Sequence, residues 1–111
     1  MNVHKVTRQI KKVSDTYAKK FGIKRNSSWY ILKLQEEMGE LIQSYLMMTG
    51  KGRQKEKTMD QITEDFHKEM ADVFCHVLLL ARYHKINLEK EVEEKWLVRV
   101  PSNKNVTLSV F

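Results

Sequence analysis

The chain has 111 residues, of which 41% are apolar and 31% charged, a composition typical of a single soluble globular domain. Two domains of ordinary size are excluded by this length, and one proline with four glycines argues against a turn-rich β fold. The formal net charge is +6, but residues 1–25 alone carry eight Lys or Arg and one Asp, net +7, so the remaining residues are nearly neutral.

The sequence also bears on compartment and assembly. No apolar run is long enough to span a bilayer or to act as a signal peptide, so neither a membrane nor secretion is expected. Cys75 is the single cysteine and has no partner for an intrachain disulfide, which fits the reducing cytoplasm. We therefore expect one cytoplasmic domain over residues 1–111, and its small core favours a homo-oligomer.

A first helix is predicted within residues 1–25 by an apolar stripe with spacings of three and four residues. The stripe consists of Val6, Ile10, Val13, Tyr17 and Phe21, and Gly22 ends it. Most of the lysines lie on the opposite side, so this segment is a basic amphipathic helix whose aromatic side chains are expected to face the core.

A second helix is predicted after the N-cap candidates Asn26, Ser27 and Ser28, and Gly50 ends it. Its apolar positions are Tyr30, Leu34, Leu41, Tyr45 and Met48, flanked by Ile31, Met38 and Ile42. A basic loop, residues 51–57, then leads to the third helix.

The third helix is predicted to open with a capping box, Thr58 and Gln61, and to run to about Lys85. Asn87 caps a shorter fourth helix, and Pro101 ends it.

Residues 26–101 thus form the motif-bearing core, and residues 102–111 a tail that is either loose or a short strand added to a partner. The four helices predict an all-α fold of the four-helix-bundle type.

Carboxylates cluster on the second and third helices. At about 100° per residue, Glu36, Glu37 and Glu40 share one face of the second helix, and Glu69 and Asp72 share one face of the third. Both faces border an apolar stripe, and antiparallel packing would bring them together.

Like charges held so close need a counter-charge, and carboxylate oxygens without cysteine or paired histidine suit Mg²⁺, with Mn²⁺ as a substitute. The alternative is a pair of solvated helix faces rich in glutamate, a good helix former.

At these positions the chain resembles a known family. Glu36-Glu37-Met38-Gly39-Glu40, then 28 residues, then Glu69-Met70-Ala71-Asp72 is similar to the E-E-x-x-E…E-x-x-D signature of the MazG-like nucleotide pyrophosphohydrolases. The resemblance covers roughly residues 26–101 and implies a Mg²⁺-dependent helical protein, a homodimer or homotetramer. Such a protein hydrolyses a nucleoside triphosphate (NTP) or its deoxy form to the monophosphate and pyrophosphate.

The resemblance also implies roles for individual residues. Its metal ligands correspond to Glu37, Glu40, Glu69 and Asp72. Glu36 matches the first glutamate of the motif, which holds or activates the attacking water.

Five further residues are candidates for substrate binding. Lys95 and Arg99, one predicted turn apart, resemble basic residues that meet phosphates, although both also suit a helix C-terminus. Trp29 and Asn26 precede the acidic cluster and are placed to stack on and hydrogen-bond a base, whereas a Trp at a helix start is also a common core anchor. His76 points into the acidic stripe, to touch substrate or to pair with a carboxylate.

Three alternatives compete with the nucleotide hydrolase, and the first is a ferritin-like di-iron oxidase. Glu64 and His67 have the spacing of a di-iron motif, but they point away from the acidic stripe and no second such motif exists.

The main alternative is a small nucleic-acid-binding or regulatory protein that uses the basic first helix and the 51–57 loop. Nucleic acid is not the expected partner, because aromatics do not interleave with the basic face and no DNA-binding motif is present. A catalytically silent bundle is the third possibility.

Overall fold

The computed structural model describes residues 2–101, and these residues are all-α. Its helices are α1 (Val3–Phe21), α2 (Ser27–Met48), α3 (Met59–Tyr83) and α4 (Leu88–Lys95), followed by a 3₁₀ turn at Leu97–Arg99. The prediction of four helices and an all-α fold is confirmed. The predicted tail, residues 102–111, lies outside the described part of the chain.

Local capping sets most helix boundaries. The Asn26 side chain accepts a hydrogen bond from the Trp29 backbone N–H at 2.9 Å and so begins α2. Thr58 and Gln61 form the predicted capping box at the start of α3, with hydrogen bonds of 3.0 and 3.2 Å. Gly22 ends α1 at a φ of +63°, a left-handed conformation that glycine adopts without steric strain.

An antiparallel hairpin of α2 and α3 holds most of the core. The Tyr30 and Tyr83 rings lie 4.7 Å apart at one end, and the Tyr45 and Phe66 rings lie 6.2 Å apart at the other. The buried apolar side chains of the hairpin are Leu41, Met47, Ile62, Leu78, Leu79 and Ala81. The hairpin is therefore the rigid scaffold of the domain.

Helix α1 packs against α3 on a different face from the predicted one. Ala18 is its one buried residue, whereas Val13, Tyr17 and Phe21 are 71%, 58% and 57% exposed. The expectation that the aromatic residues Tyr17 and Phe21 face the core is wrong. The Val13–Tyr17 side of α1 borders an open cleft instead. The apolar stripe thus forms a wall of that cleft.

Helix α4 is shorter than predicted. It ends at Lys95, well before Pro101, and Arg99 belongs to the separate 3₁₀ turn. No α4 residue is buried, so no tertiary packing extends this eight-residue helix. Within residues 2–101, the packed unit is therefore the α2–α3 hairpin with α1 beside it, an arrangement compatible with a helical bundle.

A search of residues 2–101 for a helix that is both long and apolar enough to cross a bilayer finds none.

Candidate metal and substrate site

Three glutamates from the two hairpin helices meet at one point. Glu37 and Glu40, one turn apart on α2, and Glu69 on α3 each place a carboxylate oxygen within 4.8 Å of the other two. Antiparallel packing brings together Glu40 and Glu69, which have 28 residues between them along the chain. We call Glu37, Glu40 and Glu69 the carboxylate cluster.

The carboxylate cluster is partly buried and incompletely paired. Glu37 is only 7% exposed, and the Oε2 atoms of Glu37 and Glu69 are buried without a hydrogen-bond partner. Burial, together with the charge of Glu40, raises the pKa of Glu37 to about 7, and the same two causes raise the pKa of Glu69. Two buried carboxylate oxygens without partners fit a hard divalent cation, which takes oxygen ligands.

The other two predicted acids lie beside the carboxylate cluster. Asp72 is outside the set of three, but it is near enough for its charge to raise the pKa of Glu37 further. Glu36 is half exposed and pairs with Lys33 at 3.3 Å. The structure thus brings together three of the four predicted metal ligands, with Asp72 and Glu36 at their edge.

His76 faces the same carboxylates. Its Nε2 lies 3.8 Å from Oε1 of Glu37, and its Nδ1 is buried without a partner. Burial and the nearby Lys33 lower the pKa of His76, so the ring is neutral at pH 7. A neutral imidazole can offer one donor and one acceptor to a ligand.

A cleft of about 630 Å³ opens on one side of the cluster, between α1, α2 and α3. We call it the aromatic cleft. Tyr17, Trp29 and His76 line it, together with Glu36, Glu37 and Asp72. The Trp29 and His76 rings lie 6.4 Å apart. Flat side chains next to carboxylates can hold a molecule with an aromatic part and a charged part.

A second cleft of about 330 Å³ opens on the other side, and we call it the lysine cleft. Glu40, Asp65 and Glu69 line it with Lys55 and Lys57. Lys57 Nζ donates to Asp65 at 2.7 Å. The carboxylate cluster therefore lies between an aromatic cleft and a cleft that carries two ammonium groups.

The remaining predicted substrate residues are placed differently. Lys95 and Arg99 line neither of these two clefts, and they lie on α4 and on the 3₁₀ turn rather than on one helix. Asn26 uses its side-chain oxygen to cap α2, which leaves its amide N–H groups available.

Of three cations near the carboxylates, sequence reasoning missed Lys33 and identified Lys55 and Lys57 only as part of the basic 51–57 loop. Lys33 lies three and four residues before Glu36 and Glu37, a helical spacing that could have revealed it, and its Nζ is 3.7 Å from Glu37. Lys55 and Lys57 belong to a loop, whose approach to the cluster no periodic pattern reveals.

Comparisons of this chain with protein-family models, with curated proteins and with solved structures find no match.

Proposed function

We propose that this protein is a Mg²⁺-dependent nucleoside triphosphate pyrophosphohydrolase that releases a monophosphate and pyrophosphate. The observation that carries the proposal is the carboxylate cluster, whose two buried, unpartnered oxygens come from opposite helices of a rigid hairpin. Cys75 as the single cysteine supports a cytoplasmic location for this activity.

In this proposal Glu37, Glu40 and Glu69, with Asp72 beside them, hold Mg²⁺ or Mn²⁺. The bound ion supplies positive charge to the phosphate oxygens. Glu36 lies at the solvent side of the aromatic cleft, where its carboxylate can accept a proton from the attacking water. Lys33 holds that carboxylate in place through their 3.3 Å contact.

The two clefts suggest how a nucleotide lies across the cluster. Its base fits the aromatic cleft, where Trp29 stacks on it and His76 is available for hydrogen bonds. Asn26 does not line this cleft, and in this proposal it holds Trp29 by capping the start of α2. The outer phosphates of the nucleotide extend toward the lysine cleft, where Lys55 and Lys57 compensate their charge.

Assembly is the second part of the proposal. The α2–α3 hairpin exposes an apolar face at helical spacing, formed by Ile31, Met38, Ile42, Tyr45, Met70 and Phe74. Pairing this face with a second copy would complete a four-helix bundle, so we propose a homodimer or homotetramer. Lys95 and Arg99 reach substrate phosphates in this proposal only from a neighbouring copy.

The apolar face predicts the effect of a single charge on assembly. Ile42→Glu places a carboxylate in its centre and should reduce the mass measured by light scattering to that of a monomer. Gln9→Glu adds the same charge on α1 and should leave the mass unchanged. A wild-type protein that is monomeric at every concentration would contradict the assembly proposal.

Activity is tested by incubating the protein with each common NTP and dNTP and with modified nucleotides, in the presence of Mg²⁺. Monophosphate and pyrophosphate are then measured. Glu69→Gln removes one member of the carboxylate cluster and should reduce kcat/KM on the order of 10³-fold. Glu64→Gln is the matched control, because Glu64 lies on the same helix outside the carboxylate cluster, and its ion pair within residues 2–101 is with the exposed Lys68 at 3.2 Å.

Full activity in Glu69→Gln, with circular dichroism showing a folded protein, would contradict the proposal. Salt-sensitive binding to duplex DNA without any turnover would instead support the nucleic-acid-binding alternative.

A further inference from the structure

A third cleft lies where the beginning of α1 meets the end of α3 and the turn into α4. Its volume is about 320 Å³, and we call it the basic cleft. Buried Leu78 and Ala81 form its apolar floor, and Arg8, Arg82 and Lys85 line it.

The three cations of the basic cleft have no acidic partner. Among residues 2–101, no carboxylate oxygen lies within 4.0 Å of the charged nitrogens of Arg8, Arg82 or Lys85. The cleft lining contains no acidic residue, and His4, which also lines it, has its ring 3.9 Å from Glu89. Among residues 2–101, three cationic residues therefore line one concave surface without an ion-pair partner.

The backbone at Lys85 is unusual for a lysine. Its φ is +58°, a left-handed conformation in which glycine is the common residue at a helix C-terminus. The turn is fixed on both sides, since the Lys85 and Ile86 N–H groups donate to the carbonyls of Arg82 and Ala81 at 3.1 and 2.8 Å. A β-carbon in this conformation is strained, yet the residue at this position is a lysine that lines the basic cleft.

We propose that the basic cleft binds a phosphate-bearing small anion of diphosphate size. Two guanidinium groups can each donate paired hydrogen bonds to phosphate oxygens, and an ammonium group adds a third charge. The volume of about 320 Å³ suits a compact anion.

This site is separate from the carboxylate cluster. Arg82 follows Asp72 by ten residues on α3, about 15 Å at 1.5 Å per residue. Anion binding here requires no divalent cation, because the cleft itself supplies the positive charge. The inference therefore does not depend on the proposed hydrolase activity.

The test is isothermal titration with inorganic pyrophosphate in buffer freed of divalent cations by a chelating resin. Arg8→Gln/Arg82→Gln should weaken pyrophosphate binding about tenfold or more, since each lost charge-assisted hydrogen bond removes a strong contact. Lys12→Gln/Lys68→Gln removes the same total charge from the same two helices, outside the cleft, and should change the affinity less than about twofold.

A second variant and a spectroscopic measurement make the test independent of those arginines. Lys85→Asn tolerates the left-handed conformation and should also weaken binding. In the wild-type protein, pyrophosphate should shift the backbone amide resonances of residues 85–88. Glu69→Gln should bind pyrophosphate as the wild type does, which separates this site from the carboxylate cluster.

Titration with ADP distinguishes the possible sources of the anion. Equal affinity for ADP and pyrophosphate shows that the basic cleft reads the diphosphate group alone, and tighter binding of ADP shows that a nucleotide is the ligand. Equal losses in the two double variants, unshifted resonances at residues 85–88, or binding of duplex DNA in preference to pyrophosphate would overturn the proposal.

Discussion

The α2–α3 hairpin and the two flanking helices differ in how they are held. Among residues 2–101, the hairpin contains every buried apolar side chain except Ala18, and it carries every carboxylate of the candidate site. Helix α1 buries one residue and α4 buries none. The chemistry therefore rests on the rigid part of the molecule, and the flanking helices supply walls.

This difference explains how buried acids are tolerated. Placing Glu37 and Glu69 close together with raised pKa values is unfavourable, and only a scaffold fixed by other contacts can keep them there. Asp15 on α1 shows the opposite arrangement. Hydrogen bonds from Lys11 and from Arg25 lower its pKa, so this carboxylate contributes to stability.

Truncation of one apolar side chain in each region should give the largest contrast. Ile62 is 1% exposed in the hairpin, so Ile62→Ala should lower the free energy of unfolding by about 3 kcal/mol through lost burial and a cavity. Val13 is 71% exposed on α1, so Val13→Ala should change it by less than about 0.5 kcal/mol. Urea denaturation followed by circular dichroism measures both.

Equal losses in these two variants would contradict the contrast. They would show that the apolar stripe of α1 is covered in solution, so that α1 belongs to the core after all.

The helices themselves could be predicted because their signals are local. Asn26 and Asn87 cap α2 and α4, and Thr58 with Gln61 opens α3, through contacts that span only three residues. Gly22 ends α1 because glycine adopts the left-handed conformation there without strain, a signal that a single residue carries.

The orientation and length of the flanking helices could not be predicted. The Val13–Tyr17 side of α1 is apolar in sequence, but the sequence does not show whether a helix closes on its neighbour or leaves a cleft between them. Helix α4 ends at Lys95 and none of its residues is buried, so its length is a property of the whole fold rather than of Pro101.

The candidate site was predictable in part, because helical spacing is also a local signal. Helical spacing places Glu37 and Glu40 on one face, and a short connection makes α2 and α3 antiparallel, so Glu69 meets them. Lys55 and Lys57 come from a loop, where Lys55 has a φ of +50° that no periodicity indicates. Asp72 carries a shorter side chain than glutamate and lies beside the cluster.

Glu37 and Asp15, whose pKa values shift in opposite directions, should give a smaller contrast in stability that depends on pH. In the folded protein the pKa of Glu37 is about 7, above its ordinary value of 4.5, so the folded state keeps a proton that the unfolded state loses between these values. Stability therefore falls as the pH rises from 4.5 to about 7 and stays low above it. Glu37→Gln lacks this ionisation, and relative to the wild type it should gain about 2 to 3 kcal/mol between pH 4.5 and pH 8.

Asp15 should respond with the opposite sign. Its folded pKa lies below its ordinary value of 3.8, so its contribution to stability is present above that value and is lost as the pH falls through the folded pKa. Asp15→Asn should therefore be less stable than the wild type at pH 7 and converge with it in acid.

Both comparisons use urea denaturation in metal-free buffer, since a divalent cation at the carboxylate cluster would hold Glu37 ionised and remove its pH dependence. A constant difference between Glu37→Gln and the wild type from pH 4.5 to pH 8 would show that Glu37 is solvated like any surface acid, and the hairpin would then hold no unfavourable charge for a cation to relieve.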